Sequence, residues 1–358
     1  MWMIGKFRAV FLGVAMLVAA GACAQETSDA KERPDFLILP VVNYSEKGEA
    51  RTQLLPRLHE YLDRIGTTYL TSEELRPLLR KHRIRSRGWI GLEAEKTLRR
   101  ETGASYLMLG AWDVFREGAN PEIGVSLRIL DLESLTLVDA VSVGASGADF
   151  TGLLGLGRIT DTGELAEHVM KQALDALFPV AKYQESHRSS RGCFQVALIP
   201  FDNYADTPNA GDIVTNIVLS GLLSQGYFVV EPGFVRELGL ELEVINRGGV
   251  DRRSGESILD RLNTCQVITG TVDEFSTARG DPTRSVPQIA LGIRVMSPQD
   301  GNIYLMQELQ GAGDDQDRIF QGGRIHAIVP LANKVLQNFL TELVDNNRED
   351  ILHGNPRP

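Results

Sequence analysis

The sequence has 358 residues, of which 43% are hydrophobic and 23% charged, with a formal net charge of −10. That length and balance suit two ordinary folded domains and exclude a disordered chain. The acidic surplus leaves no general electrostatic reason to bind nucleic acid or an anionic membrane, and nucleic acid is not expected as a partner.

In chain order, residues 1–24 read as an export signal. Lys6 and Arg8 make a short positive region before the apolar run AVFLGVAMLVAAGA, Ala9 to Ala22. That run falls short of the roughly 20 residues that span a bilayer and fits a signal h-region. Two cleavage patterns fit. Ala20-Gly21-Ala22 before Cys23 resembles a bacterial lipobox, with Ala20 where Leu is usual, and would make Cys23 a lipidated anchor in the outer membrane. Ala22-Cys23-Ala24 before Gln25 fits ordinary signal peptidase. Either one places the mature chain outside the cytoplasm, in the periplasm of a bacterium.

Residues 25–35 are polar and read as a tether. A first α/β unit is expected over residues 36–180. Phe36 to Val42 reads as a buried strand. Ala50 to Ile65 carries Leu54, Leu55, Leu58 and Leu62 at helical spacing, with Pro56 predicting a kink or a first turn. A short strand over Thr67 to Thr71 follows, then a helix over Ser72 to Arg83 with Ser72 as N-cap. Leu92 to Thr102 reads as a helix ended by Gly103. Ser105 to Phe115 is a strand, and Ile123 to Asp131 with Thr136 to Val143 an antiparallel pair. Glu164 to Phe178 closes the unit as an amphipathic helix. Residues 181–192 are polar and aperiodic and read as a linker.

Residues 193–345 repeat that order. LILPVVNY at Leu37 to Tyr44 lies over ALIPFDNY at Ala197 to Tyr204, with Pro40, Asn43 and Tyr44 each 160 residues before Pro200, Asn203 and Tyr204. Helices are expected over Ala210 to Ser224, Gly233 to Leu240 and Ser254 to Asn263, and a strand over Tyr227 to Glu231. Gly110, Asp113 and Phe115 fall on Gly270, Asp273 and Phe275 at the same offset. The offset then grows to 166, pairing Arg128 with Arg294 and Gly157-Arg158-Ile159 with Gly323-Arg324-Ile325. A final helix to about Val344 and a flexible tail over residues 346–358 complete the chain. The fold class expected is α/β. Two tandem copies of a small two-layer or three-layer domain would each build a mixed sheet in the order strand-helix-strand-helix-helix-strand-strand-strand-helix. The first unit carries about −3 and the second about −9 by residue count, so their surfaces are expected to face different things.

With Cys23 set aside, Cys193 and Cys265 each open a strand. In an oxidising compartment they form a disulfide if those strands are parallel neighbours; two separate buried thiols are the alternative. The six histidines show no ligand spacing, no Cys/His pattern suggests a metal, and no nucleophile motif or phosphate loop is found. No cofactor, metal or catalytic residue is expected. Asn43-Tyr44 and Asn203-Tyr204 lie where the first strand of each unit meets its first helix, on the crevice side of an α/β sheet. They read either as partner contacts or as turn chemistry, with Asn bonding backbone and Tyr packing. The basic run Arg80, Lys81, Arg83, Arg85 and Arg87, followed by Trp89, reads either as a surface for anionic headgroups, peptidoglycan-linked acids or an acidic partner, or as a solvated loop.

The second unit, VALIPFDNY…GDIVTNIVLSGLLSQGYFVVE…CQVITGTVDEF…LGIRVMSPQDGNIY, is similar to the curli-secretion lipoprotein (CsgG) family and to the N-terminal domain of TolB and related envelope lipoproteins. Pro200, Phe201, Asn203, Glu231, Gly270 and Phe275 match that group's pattern. The first unit departs from it, with Val41 for Phe and Thr71 where Glu231 stands. The resemblance implies binding and assembly in the envelope. The expected role is a non-enzymatic accessory protein that binds other envelope proteins. The alternative is a subunit of a curli-type outer-membrane secretion channel, although the helix-to-strand connections hold no spare alternating segments for membrane hairpins. Self-association remains open.

Overall fold

The structure, a computed structural model, describes residues 34–45, 47–85, 88–151, 157–178, 195–241, 260–277, 286–315 and 323–352. The export signal, Cys23, nearly all of the tether, Arg87, the 181–192 linker, Cys193 and most of the helix expected over Ser254 to Asn263 lie outside those residues.

The chain builds the same unit twice. In the first, β1 (Phe36–Ile38), β2 (Val42–Asn43), α1 (Gly48–Arg64), β3 (Tyr69–Leu70), α2 (Ser72–Lys81), α3 (Leu92–Thr102), β4 (Tyr106–Arg116), β5 (Glu122–Asp131), β6 (Thr136–Ser146) and α4 (Thr162–Leu177) follow in order. In the second come β7 (Gln195–Leu198), β8 (Asp202–Asn203), α5 (Ala210–Ser224), β9 (Phe228–Val230), α6 (Pro232–Glu241), β10 (Gln266–Ser276), β11 (Gln288–Met296), β12 (Ile303–Ala312) and α7 (Ile328–Leu352). The sheets run β3-β1-β4-β5-β6 and β9-β7-β10-β11-β12, with β2 and β8 extending the first strand's pairing onto β4 and β10. The α/β class and the doubled arrangement expected from sequence are what the structure shows. The repeat extends to irregularities. Parallel register aligns Phe36 with Tyr106 and Val196 with Gln266. Bulges fall between Trp112 and Val114 and between Val272 and Glu274. A second pair falls after Ile129 and after Val295, at the 166 offset.

Local physics shifts several boundaries. The first strand is broken at Leu39-Pro40, because proline has no N–H to give the ladder. Helix α1 runs on through the exposed Pro56. Helix α2 is capped by Thr71 rather than Ser72: the Thr71 hydroxyl accepts the Glu74 N–H while the Glu74 carboxylate accepts the Thr71 N–H. Helix α7 continues to Leu352, past the point where a tail was expected.

The two units interlock. Helices α1 and α4 cover one face of the first sheet, burying Leu54, Leu58, Leu62, Val169, Ala173 and Leu177 against Ile123, Val125, Leu127 and Ile129. The other face of that sheet is covered by α2 and α3 at its parallel end. At its hairpin end it is covered by α5 and α7 of the second unit. Those helices also pack on their own sheet, so they lie between two sheets. Their composition follows from that position. Helix α5 buries Ile213, Val214, Thr215, Asn216, Ile217, Val218, Leu219 and Ser220 in succession, all round its axis. Its counterpart α1 buries a single stripe and exposes charges. On the outer side of the second sheet, among the described residues, α6 covers the end formed by β7 and its neighbours.

Candidate functional site

The two strand-to-helix corners were the sequence's clearest repeat, and their asparagines do identical work. Asn43 Nδ2 donates to the Lys47 carbonyl at 2.6 Å and its Oδ1 accepts the Ser45 N–H at 3.2 Å. Asn203 Nδ2 donates to the Thr207 carbonyl at 2.9 Å and its Oδ1 accepts the Ala205 N–H at 3.1 Å. Both are Asx turns, which fix the chain's path into the helix. The tyrosines differ. Tyr44 is 6% exposed and packed in the core shared by the units, whereas Tyr204 is 69% exposed. Burial, then the nearby Asp212 carboxylate, pushes the Tyr44 phenol above its usual range.

The buried corner belongs to a polar seam that joins the units. Arg128, on β5, forms a two-pronged ion pair with Glu231: Nε donates to Oε2 and Nη2 to Oε1, each at 2.9 Å. Nη1 donates to Asn216 on α5 at 3.4 Å and Nη2 also donates to the Gly88 carbonyl. The guanidinium lies 4.7 Å from the Trp89 ring centre. Trp89 Nε1 donates to Asp212 at the start of α5. The Ser126 hydroxyl donates to Asp113 and contacts Ser142. Burial pushes Asp113 and Glu122 up to about 7 and Glu95 up to about 8, the last helped by Glu231. At the far end of the seam, Glu122 accepts the Ile328 N–H and Asp149 the His326 N–H, at 2.8 and 3.0 Å. Two carboxylates of the first unit thus meet the amino end of α7, where the helix dipole favours negative charge.

The same positions in the second unit face outward. Counterparts of Glu122, Gly124, Ser126 and Arg128 on β5 are Gln288, Ala290, Gly292 and Arg294 on β11. Counterparts of Leu137, Ala140, Ser142 and Gly144 on β6 are Ile303, Met306, Glu308 and Gln310 on β12. Leu137 is 3% exposed and Ser142 6%; Ile303 is 47% and Met306 55% exposed. Asp315 repeats Asp149: each accepts, at 2.7 Å, the N–H of the last residue of its hairpin, Ala312 and Ser146 respectively. Beside this face is a cleft of about 790 Å³ lined by Tyr204 and the carboxylates of Asp206, Asp273, Glu274 and Asp314.

Of the residues singled out in the sequence, Asn43, Tyr44 and Trp89 are therefore used inside the molecule, and Trp89 is 5% exposed. Arg80, Arg83 and Arg85 are exposed, and Lys81 pairs with Glu101 at 3.0 Å. Arg80, Lys81, Arg83 and Arg85 share no surface with Trp89: the ring turns inward beneath Arg128 while these cations stay in solvent. Cys265 is disulfide-bonded. Among the described residues no group of His, Cys, Asp and Glu could hold a metal ion, and no helix is long and apolar enough to cross a membrane. Sequence reasoning missed Arg128 and Glu231 as partners. The available signal was α5, whose apolar residues run round the helix instead of along one stripe.

No protein-family model matches the chain, and no curated protein matches it. Solved structures do. Lipoprotein GNA1162 from Neisseria meningitidis is similar at 15% identity and a TM-score of 0.28, over 44% of this chain and 98% of that one. The PelC dodecamer from Paraburkholderia phytofirmans is similar at 19% identity and a TM-score of 0.27, over 41% of this chain and 89% of that one. The LpoB C-terminal domain from Salmonella enterica is similar at 17% identity and a TM-score of 0.26, over 35% of this chain and 85% of that one.

Proposed function

We propose that this is a non-enzymatic accessory protein of the bacterial envelope that binds other envelope proteins through the exposed corner and sheet face of its second unit. The observation that carries the reading is the contrast between Tyr44 and Tyr204. One copy of the corner is filled by the chain's own second unit; the other, with the same Asx turn, presents a tyrosine 69% exposed beside four carboxylates. Exposed aromatic anchors with a polar rim suit a protein interface. The expected export signal and the sequence resemblance to envelope lipoproteins support an envelope location, and lipidation at Cys23 would supply the anchor. The seam's acids support the non-enzymatic reading, because Asp113, Glu122 and Glu95 are each buried between the interlocked units, away from solvent.

A photo-crosslinking residue at Tyr204, in envelopes of cells making the full chain, tests this. A discrete adduct that is absent when the same residue replaces the exposed Glu60 of α1 is the expected result. Equal, diffuse labelling from both positions would contradict it.

A further inference from the structure

The chain is acidic as a whole, but its charge is uneven. From Arg76 to Arg100 nine arginines and lysines stand against Glu93 and the buried Glu95. The topology gathers several of these cations at one end of the first sheet. Strand β1 is parallel to β3 and β4, with Phe36 beside Tyr69 and Tyr106, so the three strands begin together. Helices α1 and α3 lead into β3 and β4 and therefore finish at that end. Helix α2 finishes there too, because Lys81 and His82 reach Glu101 of α3 at 3.0 and 3.3 Å. The chain itself enters β1 at this end, from the tether.

Basic residues in the last turns of α2 and α3 complement the helix dipoles. Arg83 lies past the end of α2. Helices α1 and α2 finish in the same turn: the Thr67 N–H donates to the Leu62 carbonyl at 3.2 Å and the Ile84 N–H to the Leu79 carbonyl at 2.9 Å. In α1 the left-handed residue of that turn is Gly66, at φ 69°; in α2 it is Arg83, at φ 55°. Glycine takes this position without steric cost and arginine does not. Arg83 is exposed, as are Arg80 and Arg100, and the three pair with no carboxylate among the described residues. The acids beside them, Glu101 and Glu133, already face Lys81 and Arg99. Ile65, 43% exposed, adds an apolar side chain at the same end.

Resting on the envelope location proposed above, we infer that this end of the first unit lies on the anionic phospholipid headgroups of the membrane in which a lipidated Cys23 would sit. Cations near an anionic leaflet are drawn to it, and the attraction fades within about 10 Å at moderate salt. Only cations at the tether's end of the molecule are placed to use it. A tether from Cys23 would hold them within about 40 Å of the bilayer even at full extension.

The test uses the full mature chain carrying Cys23→Ser, so that no acyl group contributes, in flotation with phosphatidylethanolamine–phosphatidylglycerol vesicles. Phosphatidylcholine vesicles are the neutral control. Binding to the anionic vesicles alone is expected, weakening as salt rises. Arg83→Gly should weaken it severalfold while raising Tm. Adding Arg80→Gln and Arg100→Gln should weaken it at least tenfold. Arg51→Gln, at the other end of α1, should leave it unchanged. Absence of binding, equal binding to both kinds of vesicle, or binding untouched by the three substitutions would overturn the inference, as would an equal effect of Arg51→Gln. So would tighter binding of soluble polyglutamate than of the anionic vesicles, which would make this end a site for an acidic protein. If the vesicles bind as expected while Tyr204 crosslinks nothing in envelopes, the membrane contact stands and the partner-binding role fails.

Discussion

Arg128 and Glu231, 103 residues apart, form an ion pair in which both side chains are almost wholly removed from solvent and both carboxylate oxygens are bonded. The pair ties the central hairpin of the first sheet to the end of β9 in the second unit. A buried pair adds little net stability over an apolar substitute, but removing one member strands a charge. Arg128→Met is therefore expected to cost about 3–5 kcal/mol in urea unfolding. Joining it with Glu231→Leu should restore much of that loss. Strict additivity of the two single losses would show that the residues do not act as a pair.

Buried acids set the pH dependence. Glu95, Asp113 and Glu122 are raised by burial to about 8, 7 and 7 in the folded chain, from ordinary values of 4.5, 3.8 and 4.5. Between those limits the folded state binds more protons than the unfolded one, so stability falls as pH rises. Their contribution is fully present below about pH 4 and lost as pH climbs through 7 to 8. Tm should drop between pH 5.5 and pH 8.5 in a calorimetric series. Glu95→Gln should raise Tm at pH 8.5 and change it little at pH 5.5; a loss of stability at pH 8.5 would show that the Glu95 charge is supported by partners.

Contact between the units is close enough to forbid one methyl group. A Cβ on Gly233, in the first turn of α6, would lie 1.9 Å from the Ile90 carbonyl oxygen. At Gly48, the first residue of α1, it would meet nothing within 4 Å. Gly48→Ala should stabilise by about 0.4–1 kcal/mol through the unfolded chain. Gly233→Ala should destabilise by more than about 1 kcal/mol and loosen the seam. Parallel unfolding curves for the two variants check this, and equal effects would contradict the interlocked arrangement.

The Thr71 cap is local. Thr71→Ala removes an acceptor for the Glu74 N–H and is expected to cost about 1 kcal/mol. Thr71→Ser should cost much less. A large loss for serine would point to packing of the methyl group instead.

The duplication was legible from spacing alone, because strand pairing and bulges repeat at the 160 and 166 offsets that the residues themselves show. Asx turns were legible as turn chemistry at Asn43 and Asn203. The interlocking was not. It depends on which face of each sheet is free, and a sheet's free face leaves only a faint mark in sequence when glycine, serine and alanine line it. Pro56 predicted a kink or a first turn, and it occupies an exposed position within α1, beyond its first turn. Trp89 read as an aromatic beside a basic run because sequence shows neighbours along the chain. Its ring follows Gly88, whose φ of 87° turns the chain inward. The one available clue was the contrast between α5 and α1, apolar round the axis in one copy and striped in the other.

The central claim is that one copy of a doubled sheet face is filled by the chain itself, while in the other copy the β12 strand stays exposed among the described residues. Ser142 and Glu308 are counterparts on those faces, so Ser142→Cys and Glu308→Cys place the same thiol at both. Maleimide labelling of the native full chain should be as fast in the Glu308→Cys variant as at an unhindered thiol. In the Ser142→Cys variant it should be at least about a hundredfold slower, because reaction there waits for local opening. Equal rates in the two variants would contradict the account.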